Sequence, residues 1–386
     1  MGTETVTRTW GGKIADSIKG VIIGLILFLA SFVVLWVNEG AIDVSKAAEK
    51  AVNISESEVD TANEGNLVSV YSYLTSTETL GDPGLLNPGN YLTLSRHVEM
   101  FAWVEHSEST TEKKAGGSET TTTDYTYEMD WTSMPSDSSS FYIPDGHYNP
   151  PMAYENASFR VGTATMGVYP VDMASLNLPG GEAITPIPRD VDYSSHGRID
   201  NGYLYVGVGS ISNPVIGDIR ITYTAIPNPP ASPMTLFGTL SGGTIVSYMY
   251  KDKKLYHARY GPPEEAVAKL HKEFTTTRWI VRLIGFLMMW IGLALFFGPI
   301  NAVMDVLPFL GNVSRTVISI AMFVVAFVLS AVTIIVSMIA HNIIALIIVL
   351  AVIIGGVVLI AKARKGKKGA GEPGAAPTSP PEPPEK

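Results

Sequence analysis

The residues with the clearest capacity for chemistry lie in FYIPDGHYNPP, positions 141–151, where Asp145, Gly146 and His147 stand between aromatic residues and a proline pair. A carboxylate and an imidazole this close are the raw material of a metal site or an acid–base pair. The segment also has turn chemistry, because Pro144 fixes φ and Gly146 tolerates φ > 0. Asn149-Pro150-Pro151 then holds the following chain extended. The turn is the favoured reading, so replacing Gly146 or Pro150 is expected to harm stability more than replacing His147. His97 with Glu99, and His106 with Glu108, each set an imidazole and a carboxylate on one face of a strand, as two metal ligands would be. Asp190 with Asp192, and Asp124 with Glu128 and Asp130, are carboxylate groups lacking a matching base. The sequence contains no HExxH, GxSxG or P-loop pattern, which leaves zinc-protease, nucleophile-elbow and phosphate-cradle readings without support. It also contains no cysteine, which excludes thiolate catalysis, thiolate metal sites and disulfides. No catalytic residue, metal ligand or cofactor is expected.

The elements that position these residues divide sharply by composition. Four apolar runs, Ile18–Val37, Trp279–Pro299, Val317–Ile339 and Ile343–Ala361, are each long enough to cross a hydrocarbon core of about 30 Å. VNEGAID follows the first run without a small-residue cleavage pattern, so the run reads as a retained anchor. Between the first and second runs, 91–105, 120–132, 158–171, 202–210, 216–226 and 243–250 alternate or are rich in β-branched and aromatic residues, which predicts strands. Helical pieces are expected at 41–52 and at 262–274, the latter opening on prolines and two glutamates. Residues 106–123 read as a polar hairpin tip. The fold class is therefore membrane α+β: four transmembrane helices, one N-terminal and three C-terminal, around a β-rich extracytoplasmic domain.

Charge orients the chain. Arg8, Lys13 and Lys19 precede the first run, and Lys362, Arg364, Lys365, Lys367 and Lys368 follow the last, so the positive-inside rule places both ends in the cytoplasm. The expected organisation is a cytoplasmic N-terminus at 1–17, spans at 18–37, 279–299, 317–339 and 343–361, an outer domain at 38–278, and a cytoplasmic interfacial loop at 300–316. A tail at 362–386, basic and then Pro-rich, cannot bury enough apolar surface to fold. Arg278 and Arg282 count slightly against this orientation. The spans carry no ionisable group at their centres, which argues against a pump or coupled transporter. Gly20 and Gly24 form a GxxxG suited to close helix packing within one subunit. The net charge of -9 makes nucleic acid an unsuitable partner.

Several stretches together resemble the LUMA family, also called the transmembrane protein 43 family. LWVNEG (35–40) is similar to the family's exit from the first span, through Asn38, Glu39 and Gly40. RHVEMFAWVE (96–105) carries its Arg96, Glu99 and Trp103. YTYEMDWTSMPSDSSSF (125–141) carries Trp131, Asp137, Ser138 and Phe141, and GHYNPP (146–151) carries Asn149 and Pro150. GPINAVMDVLPFLGNV (298–313) resembles the family's membrane loop through Pro299, Asp305, Pro308 and Gly311. The resemblance implies a non-enzymatic multi-pass membrane protein that self-associates and scaffolds other membrane proteins. The missing cysteines and the Pro-rich tail depart from eukaryotic members and imply a bacterial one, in the inner membrane; a eukaryotic member would reside in the endoplasmic reticulum or inner nuclear membrane. The expected partners are the lipid bilayer, further copies of the chain and other membrane proteins. The alternatives are a metal-dependent or hydrolytic ectodomain, or a channel or transporter accessory subunit.

Overall fold

The computed structural model describes residues 1–113, 118–299 and 308–342, together with 344, 347, 348, 351, 352 and 354. It is α+β. Among the described residues, three helices are long and apolar enough to cross a membrane, and they include Ile18–Glu39 and Val317–Ala340. They belong to α1 (Trp10–Glu39), α3 (Pro263–Phe296) and α4 (Pro308–Ala340); a short helix, α2 (Ser45–Ala48), follows the first. Most of the expected fourth span at 343–361, the tail at 362–386 and the loop residue Asp305 lie outside the described residues.

Among the described residues, two eight-stranded sheets and two small two-stranded ones build the β domain. The core of the first pairs Tyr91–Lys113 with Ile219–Pro227 antiparallel, Met100 opposite Ile219 and Val98 opposite Ile221. The inward residues of this alternation, Leu94, Val98, Met100, Ile219, Ile221 and Tyr223, form one buried cluster. The second sheet centres on Met234–Ser241, flanked by Leu67–Ser72 and His257–Tyr260. Val68, Val70, Leu236, Met166 and Tyr256 pack its core. A third cluster, in which Phe237 and Leu255 meet Ala47, Ala48, Ala266 and Leu270, joins this sheet to α2 and α3.

Helix α3 is the main link between domain and bilayer. Residues 262–274 and the second span form one uninterrupted helix, roughly 51 Å long at 1.5 Å per residue. Pro263 occupies the first turn, where its missing N–H costs nothing, and Glu264 and Glu265 face the positive end of the helix dipole. Helix α1 lies against it. A Cβ built on Gly24 would come within 2.7 Å of Gly292 O, and one on Gly292 within 2.7 Å of Phe28 N. The small-residue packing expected of the first span is therefore intramolecular, through Gly24 rather than Gly20. The opposite face of α1, with Ile22, Ile26, Leu29 and Val33 more than half exposed, is left for lipid.

Several expectations change. The helix at 41–52 shortens to Ser45–Ala48, because Asp43 caps it at Ser45 and Val52–Asn53 is drawn into a parallel pairing with Val68 and Ser69. Residues 308–316, expected in a loop, are already helical in α4. The polar tip at 106–123 is narrower, with strand structure to Lys113 and again from Glu119.

The largest correction concerns residues 1–17. Gly2–Arg8 is a strand paired antiparallel with the distal half of this ribbon, Gly2 opposite Tyr125 and Arg8 opposite Glu119. The segment is thus part of the β domain's sheet rather than a separate lead-in. Its alternating threonines suit a strand, but its partner lies more than a hundred residues away, beyond the reach of local pattern. Past Met100, residues 101–113 extend about 43 Å, which matches the roughly 45 Å length of α1 and brings the ribbon to that helix's N-terminal end. A polar ribbon edge is not accommodated among acyl chains, so this pairing bears directly on where the start of α1 sits. The cysteine-free chain offers a clean test. Thr5 stands opposite Thr122, a spacing of about 4.5–5.5 Å between Cβ atoms. The double variant Thr5→Cys/Thr122→Cys is expected to form an intramolecular disulfide on mild oxidation in membranes, visible as a gel shift. No crosslink, with the two thiols labelled from opposite sides, would restore a separate cytoplasmic segment.

Candidate functional site at the junction of helices and sheets

The family-like exit of the first span ends α1 on Asn38 and Glu39. A carboxylate at a helix C-terminus faces the negative end of the dipole, and the Glu39 side chain is fully buried. Both features demand cationic partners. Arg282 supplies a bidentate one, with Nε at 2.7 Å and Nη2 at 2.8 Å from the two carboxylate oxygens. One turn earlier on α3, Arg278 donates from Nη2 to the Glu39 backbone carbonyl at 2.9 Å, and its Nε lies 3.8 Å from the carboxylate. Asn38 Nδ2 donates to Arg278 O at 3.2 Å and to Glu39 Oε1 at 3.4 Å. The two arginines are four residues apart and so share one helix face. Each lies over an aromatic ring, Arg278 on Phe274 at 4.9 Å and Arg282 on Trp279 at 4.6 Å.

Helix α4 closes the junction from a third side. Ser337 Oγ donates to Trp36 O at 3.1 Å, and the His341 ring packs on Trp36 at 5.2 Å. His341 reaches so close that a Cβ on Gly40 would meet its Nε2 at 2.6 Å. Gly40 therefore owes its identity to this contact. Beside the clamp lies a cavity of about 370 Å³ bordered by Lys46, Lys251, His271 and both arginines. The arginines that weigh against the orientation by charge counting are thus partners of Glu39. An Arg-x-x-x-Arg pair opening one span, set against a lone glutamate closing another, is the sequence signal that points to this contact.

The sequence profile described as transmembrane protein 43 matches residues 100–343. This chain belongs to the transmembrane protein 43 family. Transmembrane protein 43 of Rattus norvegicus is 26% identical over 350 residues and that of Homo sapiens 28% identical over 344, each comparison covering 82% of both chains. The Drosophila melanogaster homolog is 26% identical over 236 residues, 58% of this chain and 62% of its own. No solved structure matches.

The other family-like positions of this transmembrane protein 43 member are brought together in two places in the β domain. Asn149 is the hub of the first. Its side-chain amide takes the Trp103 backbone N–H at 2.7 Å and donates to Trp103 O at 2.9 Å and Ser136 O at 3.1 Å. It thereby acts as a substitute strand residue on the edge of Tyr91–Lys113, just past Met100, where pairing with Ile219 ends. Ser138 Oγ accepts the Asn149 N–H, Asp137 accepts from Ser139 N at 2.9 Å, and Phe141 is buried. His147 Nδ1 lies 3.0 Å from Ile143 O, and its ring stacks on Tyr127 at 3.9 Å and meets Trp103 edge-on at 4.8 Å. Gly146 has φ +85°, as the turn requires. His147 is thus an aromatic packing residue, and its loss is expected to cost more than the sequence reading allows. The adjoining cleft of about 740 Å³ includes Asp137 and Asn149 in its wall, and both are committed to these internal bonds.

The second place is the face of the long sheet. Arg96 grips the buried Asp82 at 2.8 and 2.9 Å, and Tyr223 donates to the same carboxylate at 2.8 Å. Glu99 accepts from Arg220 Nε at 2.7 Å, and Arg220 lies over Trp131 at 4.7 Å. Glu99 is therefore spent on an ion pair rather than on His97, and His106 meets Glu128 at 2.6 Å rather than Glu108. Among the described residues, no three His, Asp or Glu side chains gather as metal ligands would. Pro299 follows the end of α3, Pro308 opens α4 and Gly311 lies in its first turn.

One group gives the fold a pH dependence. Burial, reinforced by Arg259 and opposed by Glu273, pushes the His257 imidazole down to about 4 from its ordinary 6.5. Its Nδ1 accepts the Tyr256 backbone N–H at 3.1 Å, a bond only the neutral ring can make. Below pH 6.5 the unfolded chain takes up a proton that the folded chain refuses. The stabilisation is thus complete above that pH and is lost as pH falls toward about 4. A loss of about 2–3 kcal/mol by pH 4.5 is expected. Thermal melts across this range should show a shallower acid slope for His257→Asn than for the parent.

Proposed function

We propose that this protein is a non-enzymatic membrane scaffold that self-associates and holds other membrane proteins. The observation that supports the reading is the continuity between β domain and bilayer. Helix α3 packs Ala266 and Leu270 into the domain's third cluster, passes uninterrupted into its apolar half, and is locked to α1 through Glu39. Arg259 Nε and Nη2 in the second sheet grip Glu273 of the same helix, both at 2.8 Å. A domain fastened at several points presents its surfaces in a fixed orientation over the membrane, which is what an organising platform requires and what a domain on a flexible tether lacks. In this reading the β domain lies outside the cytoplasm and the basic C-terminal end within it, in the inner membrane of a bacterium or the endoplasmic reticulum or inner nuclear membrane of a eukaryote. Crosslinking in intact membranes followed by blue-native electrophoresis should give a ladder of homo-oligomers and co-isolated membrane proteins. A strictly monomeric species at native abundance would remove self-association from this reading.

A further inference from the structure

The cavity beside the Glu39 clamp has a charge imbalance that the fold does not use. Lys46, Lys251, Arg278 and Arg282 border it, against the carboxylates Glu39 and Asp43. Both acids are already engaged, Glu39 by Arg282 and Asp43 by the Ser45 N–H at 3.1 Å and His271 Nδ1 at 3.0 Å. Among the described residues, neither lysine forms an ion pair with Glu39 or Asp43; Lys251 lies over the Tyr250 ring. Arg278 Nε is buried without a hydrogen-bond partner, 3.8 Å from the Glu39 carboxylate that Arg282 already holds. A guanidinium on the wall of a cavity that sets four cationic side chains against two engaged carboxylates is suited to an oxygen anion, with phosphate geometry the best match.

The position of the cavity narrows the ligand further. It lies where α1, α3 and α4 leave their apolar stretches, and Trp279 on its rim is 62% exposed, as an aromatic residue at a bilayer interface is. Below it, Ile280, Leu283 and Ile284 offer an exposed aliphatic face along α3. We propose that this cavity binds a phosphate monoester or diester group, seated on Arg278 with Lys46 and Lys251 closing over it. Its natural source is the headgroup of an anionic phospholipid whose acyl chains lie along α3. The proposal is independent of the scaffolding reading, because a monomer would hold the lipid as well as an oligomer.

The test uses the full chain in nanodiscs and in detergent. Retention of phosphatidylglycerol over phosphatidylcholine is measured by mass spectrometry of the intact complex, with inorganic phosphate as a separate probe. Lys46→Gln and Lys251→Gln lie outside the clamp and leave its bonds in place. Each is expected to weaken phosphatidylglycerol retention about fivefold, in line with the worth of one lysine near an anionic surface, without lowering the melting temperature. Arg278→Gln should weaken it further. Stabilisation by phosphatidylglycerol that inorganic phosphate does not reproduce supports the lipid source, and stabilisation by inorganic phosphate alone supports the phosphate site with a soluble ligand. Equal retention of both lipids, unchanged in the two lysine variants, would overturn the proposal.

Discussion

Glu39→Ala is expected to destabilise the protein by about 3–5 kcal/mol, because it leaves two arginines at a buried junction without their anion. The removed side chain is fully buried and accepts both hydrogen bonds of the Arg282 fork. Arg278 would keep only the backbone carbonyl of residue 39. Glu39→Gln preserves the shape but offers one acceptor and one donor to a guanidinium that can only donate, so it should fall between alanine and the parent. The loss should be local in its origin, since the Glu39 side chain bonds to Asn38 on α1 and Arg282 on α3. Near-ultraviolet dichroism of the full chain in detergent should therefore show the helix–domain junction loosening first, through the signals of Trp36 and Trp279, ahead of the domain's cooperative melt.

The second large effect concerns Asp218, which is 3% exposed at the entry to the central strand Ile219–Pro227. Its carboxylate accepts the backbone N–H groups of Val208 at 2.9 Å, Gly209 at 3.0 Å and Val215 at 2.7 Å, and the Tyr205 hydroxyl. Burial and this hydrogen bond push the Tyr205 phenol well above its ordinary range, so it remains a donor at every physiological pH. Arg198 covers the tyrosine ring at 4.6 Å and donates to Gly207 O at 2.9 Å, which completes the network. Asp218→Ala strands three amides and a hydroxyl in a protected loop, and a loss of about 3–5 kcal/mol is expected. Tyr205→Phe removes a single donor and should cost about 1 kcal/mol. Thermal melts of the full-length variants measure both, and similar costs for the two would show that the backbone amides find water instead.

The elements that were legible in the sequence are those whose pattern is local. Apolar runs disclosed the membrane helices, and alternation disclosed strands at 91–105, 120–132 and 216–226. Pro144-Asp145-Gly146 disclosed its turn, because proline and glycine constrain φ wherever they stand. Relationships across the chain were not legible. Arg96 stood out, but its partner Asp82 sits in a Gly-Asp-Pro-Gly stretch that reads as a loop. Glu39 stood out as well, while Arg278 and Arg282, 239 and 243 positions away, counted only as awkward charges. Asp218 was missed altogether, since an aspartate inside the stretch 216–226 that reads as strand gives no sign of the loop amides it binds. The N-terminal strand failed for the same reason: a short polar segment forms a strand only when an edge elsewhere accepts it.

The Glu39–Arg282 pair fastens the first helix to α3, the helix that carries the β domain into the membrane. A double-mutant cycle of Glu39→Ala and Arg282→Ala, read by unfolding of the full chain in mixed micelles, tests it most directly. Each single variant should lose about 3–5 kcal/mol, and the double variant should lose at least about 2 kcal/mol less than their sum, because with both partners removed only Arg278 is left without its carboxylate. Single losses that add to within about 0.5 kcal/mol would show that the two side chains are energetically independent, and the clamp would not be what joins helix to helix.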